Sequence, residues 1–225
     1  MGKLKEANEE DNKMLAAQLR EPRGEIGVEV GKVMNQTNES MINETIDSLR
    51  LHMNDVILEI GHGNGRHVKD LMEVASNMLY FGLDISDLMH REAKLYCDEI
   101  GLSNCAEFVL YNGLIIPFPK NKFQKVFTVN TLYFWEKPVL FLNEIHRVLA
   151  PGGTLSIAFV TKKAMAELAF TNYGFNKYNQ EDFHSLIQQS EFNEYALTQY
   201  TEEIEGKLGD GIVNREYFIA QLTKK

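Results

Sequence analysis

The sequence predicts an α/β protein with a doubly wound, mostly parallel sheet covered by helices on both faces. Three observations predict it. Short apolar runs alternate with segments of helical periodicity from residue 56 to residue 160. The first of these runs opens into glycines at alternate positions. The chain then closes on two strand-like segments, which add an antiparallel hairpin at one sheet edge.

The elements follow in order. Residues 3–20 read as a polar helix with Leu4, Leu15 and Leu19 on one side, ended by Glu21-Pro22-Arg23-Gly24. A second helix is expected from about Val30 to Leu51, after a stretch that Gly27 and Gly31 loosen. Val56–Ile60 is a short apolar run, the pattern of a strand buried on both faces. Val68, Leu71, Met72 and Ala75 recur at helical spacing, Leu79–Leu83 is a second strand, and Met89, Ala93, Tyr96 and Ile100 mark the next helix. Glu107–Leu110 and Lys125–Val129 are the third and fourth strands. A helical stripe through Phe141 or Leu142, Ile145, Val148 and Leu149 is stopped by Pro151-Gly152-Gly153, and Thr154–Val160 is the fifth strand. A helix near 181–189 precedes Tyr195–Ile204 and Val213–Leu222, which flank a Gly209-Asp210-Gly211 turn.

Composition narrows the function. The chain has 225 residues, 23 Lys+Arg against 32 Asp+Glu, and a formal net charge of −9. That balance disfavours nucleic-acid phosphates and anionic lipid as partners. No stretch approaches the ~18 apolar residues of a membrane span, and residues 1–14 lack the apolar core of a secretion signal. Cys97 and Cys105 stand without a CxxC pair or histidines at zinc spacing, so a cytoplasmic protein with no metal site is expected.

The informative stretch is Leu58-Glu59-Ile60-Gly61-His62-Gly63-Asn64-Gly65. Glycines between a buried strand and a helix permit a tight turn and let backbone approach a ligand. The following helix end offers free N–H groups to a polar partner, and in a doubly wound sheet this loop lies where ligands bind. A dinucleotide loop needs a third glycine where this chain has Arg66, which counts against a nicotinamide-dependent oxidoreductase. Asp84 ends the second strand, 25 residues after Glu59. A carboxylate there can accept from both hydroxyls of a ribose and would repel a phosphorylated one.

With these residues in view, positions 54–160 resemble the class I S-adenosylmethionine-dependent methyltransferases. The resemblance is greatest to the small-molecule branch that includes the ubiquinone/menaquinone-type enzymes. The glycine loop corresponds to that family's first motif and Tyr80–Ser86 to its second. Asn112–Phe118 matches the segment after the third strand, and Glu144–Gly153 resembles the E-I-x-R-V-L-x-P-G-G signature. The resemblance implies a Rossmann-like, seven-stranded, three-layer α/β/α fold. It implies that Gly61, Gly63 and Gly65 pass close to the methionine part of S-adenosylmethionine, that Glu59 holds that part, and that Asp84 binds the ribose with Ile85 on the adenine face. Asn112 replaces a common aspartate and keeps a carbonyl acceptor for the adenine amino group, beside Gly113; Asn130 is a further cofactor or loop contact. Residues 1–52 are expected to form a helical lid segment beside a catalytic domain at 53–225, with Gly24, Gly27 and Gly31 giving hinge freedom within Gln18–Asn38; a packing helix pair is the alternative there.

For catalysis the sequence offers His62, in the cofactor loop, and Tyr133, after the fourth strand, as weak candidates for a base. His67, His90, His146 and His184 read as packing or surface residues. Arg20 and Arg23 are available to a carboxylate. Phe170, Tyr173, Phe175 and Tyr178, with Tyr133, Phe134 and Trp135, point to an acceptor of apolar or ring character. The expected function is methyl transfer to such a metabolite. A non-catalytic module binding the cofactor or its demethylated product, and methylation of a protein side chain, are the alternatives.

Overall fold

The computed structural model describes residues 8–205 and 212–225. Helix α1 (Glu9–Arg20) opens on a capping box: the Asn8 side chain accepts from the Asp11 amide, and the Asp11 carboxylate accepts from the Asn8 amide. It buries Asn12 and Ala16. The part of the expected helix at residues 3–7 lies outside the described residues.

Helix α2 (Gly24–Leu49) begins earlier than expected and runs unbroken through Gly27 and Gly31. These glycines are packing positions and not breaks. A Cβ on Gly27 would lie 2.8 Å from the Pro22 carbonyl carbon, and one on Gly31 would lie 3.0 Å from Met89 Cε. The C-terminal half of α2 is clamped to the sheet by Ile42, Ile46 and Leu49 and by Lys125 Nζ, which donates to the Leu49 carbonyl at 2.7 Å.

Seven strands follow: β1 (Val56–Ile60), β2 (Leu79–Asp84), β3 (Ala106–Leu110), β4 (Phe123–Val129), β5 (Leu149–Val160), β6 (Tyr195–Glu205) and β7 (Ile212–Thr223). Their order is β3-β2-β1-β4-β5-β7-β6; the first five are parallel, and β7 pairs antiparallel to both β5 and β6. The expected Gly209–Gly211 turn lies outside the described residues. The helices between are α3 (Val68–Glu73), α4 (Asp87–Glu99), α5 (Pro138–Val148), α6 (Lys162–Ala166) and α7 (Gln180–Gln188).

Strand alternation explains the three layers. In β1, Ile57 joins the core under α2, α3 and α4, while Leu58 and Ile60 join the core under α5 and α7. Pro151-Gly152-Gly153 does not separate helix from strand, since β5 already begins at Leu149. The three residues form an irregularity in β5, between the Phe123–Leu149 and Lys125–Thr154 pairs. Gln124 has its own structural task, accepting the Val56 amide at 2.9 Å where β1 starts.

Candidate active site

The order of strands reverses between β1 and β4, and a crevice opens beyond their carboxyl ends. A cavity of about 1010 Å³ fills it. Its floor is the glycine loop, and its roof is α1 with the N-terminal half of α2, represented by Asn12, Leu19 and Met34.

The glycines serve different ends. Gly61 has φ +79°, and a Cβ there would collide with Thr131 Cγ2. Gly63 has φ +56° and open space where a Cβ would stand, on the cavity wall. Gly65 lies away from the cavity, with its Cβ position 2.9 Å from Ala93 Cβ of α4. It is the residue of the glycine motif that the structure does not bring to the site.

Asp84, at the end of β2, is buried and lines the cavity. Oδ2 accepts the Gly63 amide at 3.0 Å and Oδ1 the Ser86 amide at 2.8 Å. A carboxylate oxygen can accept about two hydrogen bonds, so each has a lone pair left. Burial pushes the carboxyl up to about 6, against the opposing pull of the Ser86 and Gly63 amides. Glu59, 2 % exposed, accepts from Tyr80 Oη and from His67 Nε2 at 2.7 Å. Burial lowers the pKa of His67, but the charge and hydrogen bond of Glu59 outweigh it and leave it raised. His67 is therefore a buried partner of Glu59, not the surface or packing histidine that its position on the chain suggested.

Ile85 and Gly113 meet on the cavity wall, the Cβ position of Gly113 being 3.3 Å from Ile85 Cγ2. Asn112 lines the cavity too, but its Oδ1 accepts from the Leu114 and Ile115 amides, both at 3.0 Å. Both lone pairs are used in that turn, which leaves the amide Nδ2 to a ligand rather than the carbonyl that the sequence suggested.

Neither candidate base is poised to take a proton. His62 Nδ1 stands 2.7 Å from the Gly63 carbonyl, which can only accept, so Nδ1 carries the hydrogen. The ring packs edge-on to Phe108 at 4.9 Å, Nε2 is buried without a partner among the described residues, and burial lowers the pKa to about 4. Tyr133 Oη donates to Asn130 Oδ1 at 2.9 Å and accepts the Val160 amide, and burial raises its pKa strongly. Asn130, at φ +59° after β4, in turn donates through Nδ2 to Asn38 Oδ1 of α2 at 3.2 Å.

The far wall is apolar. Phe175 touches Phe134 (4.6 Å between centroids), Tyr133 (5.8 Å) and Phe170 (5.9 Å). Met165 and Leu168 complete it. Of the expected aromatics, Tyr173 and Tyr178 do not line the cavity: Tyr173 lies beneath Lys13, and Tyr178 packs on Phe159. Arg20 spans to Glu136 at 3.2 Å, and Arg23 pairs with Glu21 at 2.5 Å.

Sequence reasoning missed Arg215. It lies on β7, 6 % exposed, and lines the cavity beside Asn38. Its Nε and Nη2 donate to Glu202 Oε1 at 2.9 and 2.7 Å, Nη2 to the Thr37 carbonyl at 2.7 Å, and Nη1 to Asn38 Oδ1 at 2.9 Å. In the sequence it stands between Asn214 and Glu216 and carries no signal that separates it from a solvated strand end.

Comparison with known proteins bears on the family and the fold. Residues 58–157 match a family of methyltransferase domains. A putative methyltransferase of Bacillus subtilis, YrhH, is 30 % identical over 139 residues, which is 61 % of this chain and 73 % of that protein. A fatty-acid O-methyltransferase of Mycolicibacterium smegmatis is 30 % identical over 97 residues, 43 % of this chain but 34 % of its own length. The crystal structure of YcgJ from Bacillus subtilis superposes with a TM-score of 0.71 at 12 % identity, covering 83 % of this chain and 99 % of that one, and so shares the fold. This chain belongs to the class I S-adenosylmethionine-dependent methyltransferases.

The residues present fit the methyl donor of that family. The cavity wall at Gly63 is open where any side chain would intrude, and Asp84 keeps an acceptor site on each oxygen. Among the described residues no helix is long and apolar enough to cross a membrane.

Proposed function

We propose that this enzyme methylates a small, largely apolar metabolite by in-line displacement at the sulfonium methyl. The observation that carries the reading is one cavity with two unlike walls. The glycine loop, Glu59 and Asp84 form one, and Phe134, Phe170, Phe175 and Met165 form the other. When bound, S-adenosylmethionine supplies a methyl group already activated for attack. Asp84 would hold the ribose hydroxyls, Ile85 and Gly113 the adenine, and Glu59, kept in place by Tyr80 and His67, the methionine amino end. The aromatic wall orients the acceptor and excludes water, and positioning of this kind lowers a barrier by up to ~7–11 kcal/mol.

His62 lines the cavity but burial makes its imidazole a weak base, and the Tyr133 hydroxyl is engaged on both sides, so the acceptor is one that needs no protein base. The described part of the N-terminal segment acts as a cap: α1 and the first half of α2 roof the cavity, and Arg20–Glu136 ties that roof to the segment after β4. The reading places the chain in the small-molecule branch that includes the ubiquinone/menaquinone-type enzymes. A relative named for fatty-acid O-methylation supports an apolar acceptor. The two unpaired cysteines suit a reducing, cytoplasmic setting.

A tritiated-methyl transfer screen against metabolite extracts tests the reading. Label is expected in a low-molecular-mass, organic-extractable product. Cofactor binding by calorimetry with no transfer to any fraction would favour a binding module instead.

Two further outcomes are expected. Gly63→Val places branched carbons in the open space of the cofactor wall and forces a β-branched residue to φ +56°. Binding of S-adenosylhomocysteine should fall below detection in calorimetry, and retention of parental affinity would remove the loop from the site. The second concerns pH. Asp84 gains a proton as pH falls through about 6, and ribose hydroxyls donate better to the charged form. Affinity for S-adenosylhomocysteine should therefore decline between pH 7 and 5, approaching tenfold per unit at the acid end. A flat profile over that range would contradict this role.

A further inference from the structure

We propose that the acceptor carries a carboxylate, and that Arg215 with Asn38 is its anchor at the polar end of the apolar pocket. A guanidinium has five N–H groups and no acceptor, so the bond from Arg215 Nη1 forces Asn38 to present Oδ1 to it. That same oxygen accepts from Asn130 Nδ2, which forces Asn130 to present its own Oδ1 to Tyr133 Oη. The polarity of the whole chain is thus set by Arg215.

What the chain leaves over are donors. Four of the five Arg215 N–H groups are used, on Glu202 (twice), the Thr37 carbonyl and Asn38. Among the described residues nothing accepts from the second Nη1 hydrogen or from Asn38 Nδ2. Both residues are more than nine-tenths buried and both line the cavity. These leftover donors belong to buried side chains on the cavity wall, where a ligand can meet them, and a carboxylate is acceptor-only.

Glu202 meets the guanidinium along its Nε–Nη2 edge through a single oxygen, leaving the Nη1 end to a second partner. Arg20, the other arginine on the cavity wall, is exposed and already paired with Glu136. A carboxylate is also ionised at neutral pH, which suits a pocket with no poised base.

The inference rests on the methyl-transfer reading only for calling this region the acceptor site, so the two are tested apart. Calorimetry with S-adenosylhomocysteine comes first and judges cofactor binding. The protein, with and without that ligand, is then titrated at pH 7.5 with decanoate, 1-decanol and methyl decanoate. Decanoate is expected to bind about tenfold or more tighter than either neutral probe. Arg215→Met should abolish the preference, read as the ratio of decanol to decanoate Kd falling to about one. Because that variant strands Glu202, the double variant R215M/E202M, which replaces the pair with apolar side chains, is measured beside it. Equal binding of decanoate and decanol by the unmodified protein overturns the proposal. So does methyl decanoate binding as tightly as decanoate, or a preference for decanoate that survives in R215M/E202M.

Discussion

Asp84→Ala is expected to weaken binding of S-adenosylmethionine by about 1.5–3 kcal/mol, the scale of hydrogen bonds to a charged group, or roughly 10- to 150-fold in Kd. The carboxylate is buried at the cavity wall and spends one lone pair of each oxygen on the Gly63 and Ser86 amides. Burial holds its pKa near 6, above the ordinary 3.8. Between those values the folded protein binds more protons than the unfolded chain, so this group's contribution to stability falls as pH rises from about 3.8 to about 6. At neutral pH the ligand-free protein therefore carries the carboxylate at a net cost, and two ribose hydroxyls would offset it. The variant should lose affinity while its thermal midpoint without ligand changes little. An unchanged Kd would take Asp84 out of the site.

Arg215→Met is expected to give the largest loss of stability, about 3–5 kcal/mol. The Arg215 and Glu202 side chains are 7 % and 12 % exposed, so truncating the cation leaves a desolvated carboxylate without its partner. The same change unties Thr37 and Asn38 of α2 from β7. Removing both charges in R215M/E202M should recover most of the loss, because a buried pair replaced by apolar groups of similar volume is near neutral. Urea unfolding of the two variants checks this. A loss below ~1 kcal/mol in the single variant would show that the pair is solvated.

The legible parts of the molecule are those governed by near neighbours in the chain. Strand β1, its glycine loop and α3 depend on apolar alternation, on glycine at positive φ and on helix periodicity, all confined to residues 56–73. The carboxylate at the end of β2 was legible for the same reason, because a parallel sheet places successive strand ends along one crevice. Gly27 and Gly31 were misleading. Glycine signals either freedom or close approach, and only the positions of Pro22 and Met89 decide between them. Asn112 was read from its chemistry, whereas its carbonyl is consumed by amides two and three residues ahead.

Local sequence by itself determined the alternating α/β framework, the turn that opens the crevice and the residue types that a nucleoside and a sulfonium require. The tertiary structure alone decided what lines the cavity opposite the glycine loop. Arg215 reaches Asn38 across 177 positions of chain, and Ser86 reaches Pro22 across 64. Such contacts exist only because β7 inserts beside β5 and α2 lies over the open end of the sheet. Short-range periodicity encodes which face of an element is buried, but not which distant element it will be buried against.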